Sequence, residues 1–504
     1  MTVVTFSLVS HTNAGKTTLA RTLLGTDIGE VRDAPHVTEF AAMYPLVKAP
    51  GVDGKEGDEL RLWDTPGFGD SVRLVRRLRE RGNPLGWFLT EVWDRWTDRA
   101  FWASQRALQH VQADSDVLLY LVNAAESPAA AGYVEAEMQL LEWVGKPVLV
   151  LLNQLGAPRA AAEEAADVQT WRSHLARWPL VREVLPLDAF ARCWVHELTL
   201  MRAAQRALAA AGRFDAAQAM PRLTAAWQAE RENTYADAMR VVAESLARTA
   251  CAREAVAAAA GWSERLRRLT AALGQAVSSA NEALDEKNPE AAAQARLAQA
   301  LDAEVRNSTA QLLALHKIKG GAQGEILSRV ASQFDMKQRV PEGRAAMLGG
   351  AVTGAIAGLK ADIVSGGLTM GGGLLAGALL GALGAAGVAR GINVVRGTGQ
   401  SWVAWSEEAL NGAAQAAVLR YLAVAHFGRG RGDWTQGEAP AHWQAVVTQA
   451  LAEQQAALSA AWSARSTRFD VADDPAAFAV LLLPPLQAAT RAALHRLYGD
   501  ADAA

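Results

Sequence analysis

The strongest constraint on this chain is the stretch from Ser10 to Leu19, SHTNAGKTTL, which follows a β-branched run and opens a helical one. A loop that cradles phosphate needs glycine, so that successive backbone N–H groups can turn inward around the phosphate oxygens. It also needs a lysine for the β- and γ-phosphates, here Lys16, and a hydroxyl for Mg2+, here Thr17. The helix that follows points its positive end at the same phosphates. The candidate nucleotide-binding residues are therefore Ser10, His11, Thr12, Asn13, Ala14, Gly15, Lys16, Thr17 and Thr18. One departure stands out: Ser10 occupies the place of the pattern's first glycine.

The surrounding sequence alternates strand-like and helix-like stretches up to about residue 188, as an α/β domain with a mainly parallel sheet should. Candidate strands are Val3–Val9, Glu39–Leu46, Glu59–Trp63, Asp116–Asn123, Pro147–Leu152 and Glu183–Leu187. The runs VLLYLV and VLVLL are almost wholly apolar, which suits strands covered on both faces. Residues 189–335 are rich in Ala, Leu, Gln and Arg and read as a helical domain with almost no strand signal. A glycine-rich apolar helical hairpin is expected over 336–400. A further helical region is expected over 401–504, broken at Pro484 and Pro485.

A second motif, LRLWDTPGF, ends an apolar strand on Asp64, a carboxylate suited to reaching the metal through a water. Two residues beyond Thr65, the backbone N–H of Gly67 is placed to sense a γ-phosphate. Thr38 is the only threonine between Thr26 and Thr65, which makes it the candidate third oxygen for Mg2+. The fourth motif is degenerate. A guanine pocket ends its strand with Asn-Lys-x-Asp, and here Asn153 is followed by Gln154, Leu155 and Gly156. Asn153 stays a candidate for the base pocket, but the aspartate that reads guanine is missing, so adenine stays open. Asp188 could supply a carboxylate, although a helix cap suits it better.

Weaker features take plainer readings. His11 could touch a phosphate, but a solvent-facing loop histidine is the simpler expectation. Arg73, Arg76, Arg77, Arg79 and Arg81 suit a solvated helix face. Trp87, Trp93, Trp96 and Trp102 suit packing. Two cysteines in 504 residues exclude a disulfide framework and point to a reducing cytoplasm. A formal net charge of −3 gives no reason to expect a nucleic-acid partner.

One segment disturbs the soluble reading. Ile363–Ala389 is uncharged, as is Ala345–Leu359, with glycines at spacing four in both: Gly350, Gly354, Gly358, then Gly373, Gly377, Gly381. On helices these make the smooth ridges of membrane helix pairs. The second stretch exceeds the roughly 20 residues that cross a bilayer. The first, about 22 Å long as a helix, does not reach across. A membrane hairpin, a re-entrant paddle and a packed soluble hairpin all stay open. The first two add lipid contact through 345–389, at the inner face of the cytoplasmic membrane.

Taken together, HTNAGKTTL, GEVRDAPHVTEF, LWDTPGFGDS, DVLLYLVNAAE and VLVLLNQLG resemble the bacterial Era-like GTPases fused to a C-terminal domain of unknown function 3482. The resemblance covers nearly the whole chain, with specific motifs only in its first third. It implies GTP and GDP as ligands, Mg2+ held by Thr17, Thr38 and Asp64, and slow hydrolysis. Lys16, Asn13 and Thr38 become the expected catalytic residues, with Asn13 holding K+ beside the phosphates. Phe68 stands where such enzymes ordinarily keep a water-positioning glutamine. An unidentified protein partner or self-dimerisation would then assist turnover. A nucleotide-holding scaffold without turnover, or an ATPase, is the alternative.

Overall fold

The computed structural model describes residues 1–12, 14–25, 41–51, 56–68, 71–78, 99–153, 161–187, 194–256, 289–318, 388–392, 401–425, 441–466 and 472–498. The chain divides into two compact units. The first runs from Met1 to Thr234, with two short segments added from 425–440 and 498–504. The second comprises Tyr235–Val424 and Ala441–Leu497.

Unit 1 is a doubly covered α/β sheet. Its strands are β1 (Val3–Ser10), β2 (Ala42–Lys48), β3 (Glu59–Asp64), β4 (Val117–Asn123), β5 (Val148–Asn153) and β6 (Val181–Pro186). The order is β2-β3-β1-β4-β5-β6, parallel except for β2, which runs antiparallel to β3. Helices α1 (Lys16–Leu24), α2 (Ser71–Leu78), α3 (Arg99–Asp114), α4 (Tyr133–Val144), α5 (Ala161–Leu175) and α6 (Trp194–Ala210) accompany it. Helix α7 (Phe214–Cys251) begins in this unit and continues into the next.

Alternation along β4 explains its all-apolar sequence. Val117, Leu119 and Leu121 face a core that includes Leu19 and Leu23 of α1, Leu198–Leu208 of α6 and Met220 of α7. Leu118, Tyr120 and Val122 face the opposite core, with Leu74 of α2, Val111 of α3, Leu141 of α4 and Trp171 of α5. Each fully buried Leu or Val contributes roughly 1.5–3 kcal/mol relative to exposure. Such a strand cannot slip by one residue without exchanging both cores. That rigidity matters at the ends of β1 and β3. The register Leu8↔Asp64 and Ser10↔Leu121 brings those C-terminal ends together, the edge of an open α/β sheet where ligands bind.

The described part of unit 2 is mostly helical: the end of α7, α8 (Pro289–Leu315), α9 (Glu407–Ala425), α10 (Ala441–Ala452), α11 (Gln455–Ser463) and α12 (Pro475–Tyr498). Two features correct the sequence reading. First, a small antiparallel sheet, β7 (Arg253–Ala255), β8 (Val388–Ile392) and β9 (Ser401–Trp405), lies in stretches expected to be helical. The run Ser401–Trp405 carries two tryptophans and a valine in five residues, which is strand chemistry too brief to show a period. Second, α12 continues through Pro484 and Pro485 instead of breaking there. A proline frees the carbonyl four residues earlier, here those of Val480 and Leu481, whose residues are exposed. Water can serve those carbonyls while Leu482, Leu486, Ala489 and Ala493 stay buried on the other face.

Among the described residues, the stretch Pro475–Leu497 is the one helix long and apolar enough to cross a membrane, and half of that window is buried inside the unit. The glycine-rich segment lies outside the described residues except for its last two, Val388 and Ala389, which belong to β8.

Candidate functional site

The site is built where β1 and β3 end. The chain leaves β1 at Ser10 and re-enters regular structure at Lys16 through Gly15, whose φ of 90° is left-handed. A Cβ there would also lie 2.6 Å from Asn153 Nδ2, so glycine is required on two counts. No side chain caps the start of α1 among the described residues, which leaves its first N–H groups for a ligand.

The buried side chains of Lys16 and Asp64 set the electrostatics. Lys16 Nζ donates to Ser10 Oγ at 2.9 Å and reaches the His11 carbonyl at 3.4 Å. Ser10 Oγ in turn donates to that carbonyl at 2.7 Å. The residue in place of the first glycine thus serves the lysine. Burial pushes the Lys16 ammonium down to about 8, with Asp64 and Glu137 opposing the shift. Asp64 is pushed up from the usual carboxylate range by burial, against the hydrogen bond from Thr17 and the charges of Lys16 and Arg21.

Thr17 Oγ1 donates to Asp64 Oδ2 at 2.6 Å. Asp64 Oδ1 is buried and has no hydrogen-bond partner among the described residues. A hydroxyl against a carboxylate with one oxygen unserved is a hard-oxygen donor set, which fits Mg2+ shared with phosphate. No group of three His, Cys, Asp or Glu side chains converges elsewhere among the described residues. An ion that completes its shell with phosphate and water does not need one.

The segment after Asp64 is fastened to the loop. Thr65 Oγ1 donates to the Leu8 carbonyl at 2.5 Å, and Phe68 N to the Ser10 carbonyl at 2.9 Å. Thr12 Oγ1 donates to the Phe68 carbonyl at 2.8 Å. Gly67 lies so close to this loop that a Cβ would sit 2.9 Å from Thr12 Cα and 3.0 Å from Lys16 Nζ. Phe68 itself is buried in the core beneath, with Leu74 and Val75. Its ring packs there and orients no water.

The remaining expected residues fall as follows. Asn153 is fully buried and donates to the Ala14 carbonyl at 2.8 Å, tying β5 to the loop. Thr18 is buried, and its carbonyl accepts from Thr22. His11 does not simply face solvent: its Nδ1 meets Glu137 Oε1 at 2.8 Å and its ring stacks on Tyr133. Asn13, Thr38, Gln154, Gly156 and Asp188 lie outside the described residues. Sequence reasoning missed Glu137 and Tyr120. The available signal was a phenol in an otherwise apolar strand, which must find a partner when buried.

A mostly parallel sheet, a left-handed glycine capping a helix that opens on a lysine, and a hydroxyl–carboxylate pair are the parts of a P-loop GTPase domain. Residues 5–154 match the family described as 50S ribosome-binding GTPase. No curated protein matches the chain. Among solved structures it is similar to an Aquifex aeolicus Era variant bound to GDP and AlF4−, at 18% identity and a TM-score of 0.28, covering 37% of this chain and 52% of that one. It is also similar to Era in complex with MgGDPNP and a 16S ribosomal RNA segment, at 18% identity and a TM-score of 0.26, covering 37% and 51%. A third is a structure of chloroplast translocon components, at 15% identity and a TM-score of 0.25, covering 38% and 72%. The chain thus spans about half the length of the Era structures.

Proposed function

We propose that the chain is a Mg2+-dependent GTPase of slow turnover, acting as a molecular switch whose helical C-terminal half is the output. The observation that carries this reading is the Thr17–Asp64 pair, with its unserved carboxylate oxygen, beside the buried Lys16. Lys16 and the N–H groups opening α1 bind the phosphates. Thr17, Thr38 and Asp64 hold Mg2+, which neutralises phosphate charge when bound. Gly67 senses the γ-phosphate, and loss of that contact on hydrolysis releases the segment tied to Thr12 and Ser10. Asn13 holds K+, supplying the positive charge that other systems take from an arginine. The C-terminal half corresponds to the domain of unknown function 3482. Its uncharged stretches within 345–389 give it a route to lipid.

Burial of Phe68 favours a second reading, a scaffold that holds nucleotide with negligible turnover. The test is phosphate release from the purified full chain with GTP or ATP, each in KCl and in NaCl. Faster release with GTP in KCl is the expected outcome. Tight GTP binding without release in either salt favours the scaffold, and preference for ATP overturns the guanine assignment.

A further inference from the structure

The Glu137 carboxylate is fully buried, and its two oxygens are engaged from two directions. Tyr120 of β4 donates its hydroxyl to Oε2 at 2.7 Å, and Oε1 meets His11 Nδ1 at 2.8 Å. Tyr133, one helical turn before Glu137 on α4, stacks on the imidazole with centroids 4.6 Å apart and planes 23° from parallel. The His11 side chain is thus gripped by two residues on one helix face, four positions apart. Its main chain meets a different partner: the His11 carbonyl accepts from Ser10 Oγ and faces Lys16 Nζ. Nothing in phosphate binding calls for an imidazole at this point of the loop. Equally, nothing in helix packing calls for a carboxylate buried in α4, whose desolvation is costly unless it is paired.

We infer that Glu137, through His11, is a positioning residue for Lys16: a strut from α4 into the phosphate loop, with His11 Nδ1 carrying the proton. This rests on the reading of the site as a nucleotide-phosphate cradle. An ionised carboxylate accepts at both oxygens, from Tyr120 at one and from the ring at the other, and that fixes Nδ1 as the ring nitrogen that bears hydrogen. The strut holds the His11 backbone in place, and with it the carbonyl that faces the lysine. Because α4 also packs on α2, the helix that follows Phe68 is braced against the same element.

The geometry makes a test that ordinary loss of packing would not pass. Asparagine at position 11 places an amide donor where Nδ1 stands, whereas glutamine places it farther out, where Nε2 stands. His11→Ala and Glu137→Gln should each weaken binding of a fluorescent GDP by about tenfold, the worth of one hydrogen bond to a charged group. His11→Asn should restore affinity to within about threefold, and His11→Gln should not. The double variant His11→Ala/Glu137→Gln should lose no more than either single one, since both remove the same link. Nitrogen-15 NMR of histidine-labelled, nucleotide-free protein should show a protected Nδ1–H signal that disappears in His11→Asn and in Glu137→Gln. The inference is overturned if Glu137→Gln binds like wild type, if glutamine rescues as well as asparagine, or if no such Nδ1–H exists. Failure of the wild-type chain to bind any nucleotide overturns the cradle reading and the strut with it, an outcome distinct from variants that bind as well as wild type.

Discussion

The two units treat buried charge in opposite ways. In unit 1 the buried Lys16, Asp64 and Glu137 surround one loop, with Lys16 and Glu137 both hydrogen-bonded and the one unserved oxygen, Asp64 Oδ1, beside the Thr17 hydroxyl. In unit 2 the buried Arg420 donates from Nη2 to Ser308 Oγ at 3.0 Å, and its Nε has no hydrogen-bond partner among the described residues. Of the other buried atoms there without a hydrogen-bond partner among the described residues, the indole nitrogens of Trp402 and Trp405 belong to the small sheet and Thr490 Oγ1 to α12. An unserved oxygen beside a phosphate loop can be satisfied by a ligand, whereas one enclosed by packing is stability given up locally.

The sharpest break of that comparison is Lys16→Ala. Phosphate release and nucleotide affinity should fall by about 100-fold or more, as when a preorganised phosphate-binding charge is removed. The melting of unit 2, followed by near-UV circular dichroism of its tryptophans, should not move. Near-wild-type nucleotide binding by this variant would mean that the loop is not a phosphate cradle.

Next in size is the pH dependence of that lysine. Its folded value of about 8 lies below the ordinary 10.5 because of burial. The fold therefore prefers the neutral amine, and nucleotide-free unit 1 should gain stability as pH rises from 8 towards 10.5. Phosphate prefers the ammonium, so nucleotide affinity should fall over the same window, by about tenfold per pH unit once the amine is neutral. Titration calorimetry from pH 7 to 10 reads this directly, with Lys16→Met as the variant that should be flat. A wild-type profile as flat as that of the variant would show that Lys16 stays fully charged in the free loop.

Gly15→Ala and Asn153→Ala sharpen the comparison within unit 1. The first forces a side chain into left-handed backbone and against Asn153, at a cost of about 1–3 kcal/mol. The second leaves the Ala14 carbonyl without its buried donor, about 1–3 kcal/mol. Both should weaken GDP and GTP together, because they loosen the loop and not the γ-phosphate sensor. A selective loss of GTP would relocate Asn153 to the switch machinery.

How much of this was legible beforehand follows from interaction range. The sheet could be read because β4 and β5 are continuous apolar runs, and both faces of each are covered. Lys16, Thr17 and Asp64 could be read because loop and strand motifs fix them locally, and the Thr17–Asp64 contact follows from β1 pairing with β3. Glu137 and Tyr120 could not, since their link to His11 joins positions 126 apart in sequence for the carboxylate. The small sheet escaped because its strands are three to five residues long and β7 pairs with a strand well over a hundred residues later. Helix breaking at Pro484 and Pro485 was a local rule overridden by packing: the freed carbonyls belong to exposed residues and the buried face of α12 is unaffected.

The smallest effect expected is also the one that probes unit 2. Burial pushes the Arg420 guanidinium down to about 10, with Glu304 only partly opposing it. Glu304 is itself bonded to Arg248 at 2.9 Å, so its charge is shared. A buried cation in that position costs more in desolvation than a serine hydroxyl returns. Arg420→Met keeps the length and removes the charge. It should stabilise unit 2 by about 1–2 kcal/mol, read as a rise of roughly 2–4 °C per kcal/mol in its melting temperature. Nucleotide hydrolysis should stay at the wild-type rate, because the loop of unit 1 owes nothing to this residue. Destabilisation instead would mean that Arg420 is balanced by an anion bound in unit 2, and the contrast between the buried charges of the two units would fall.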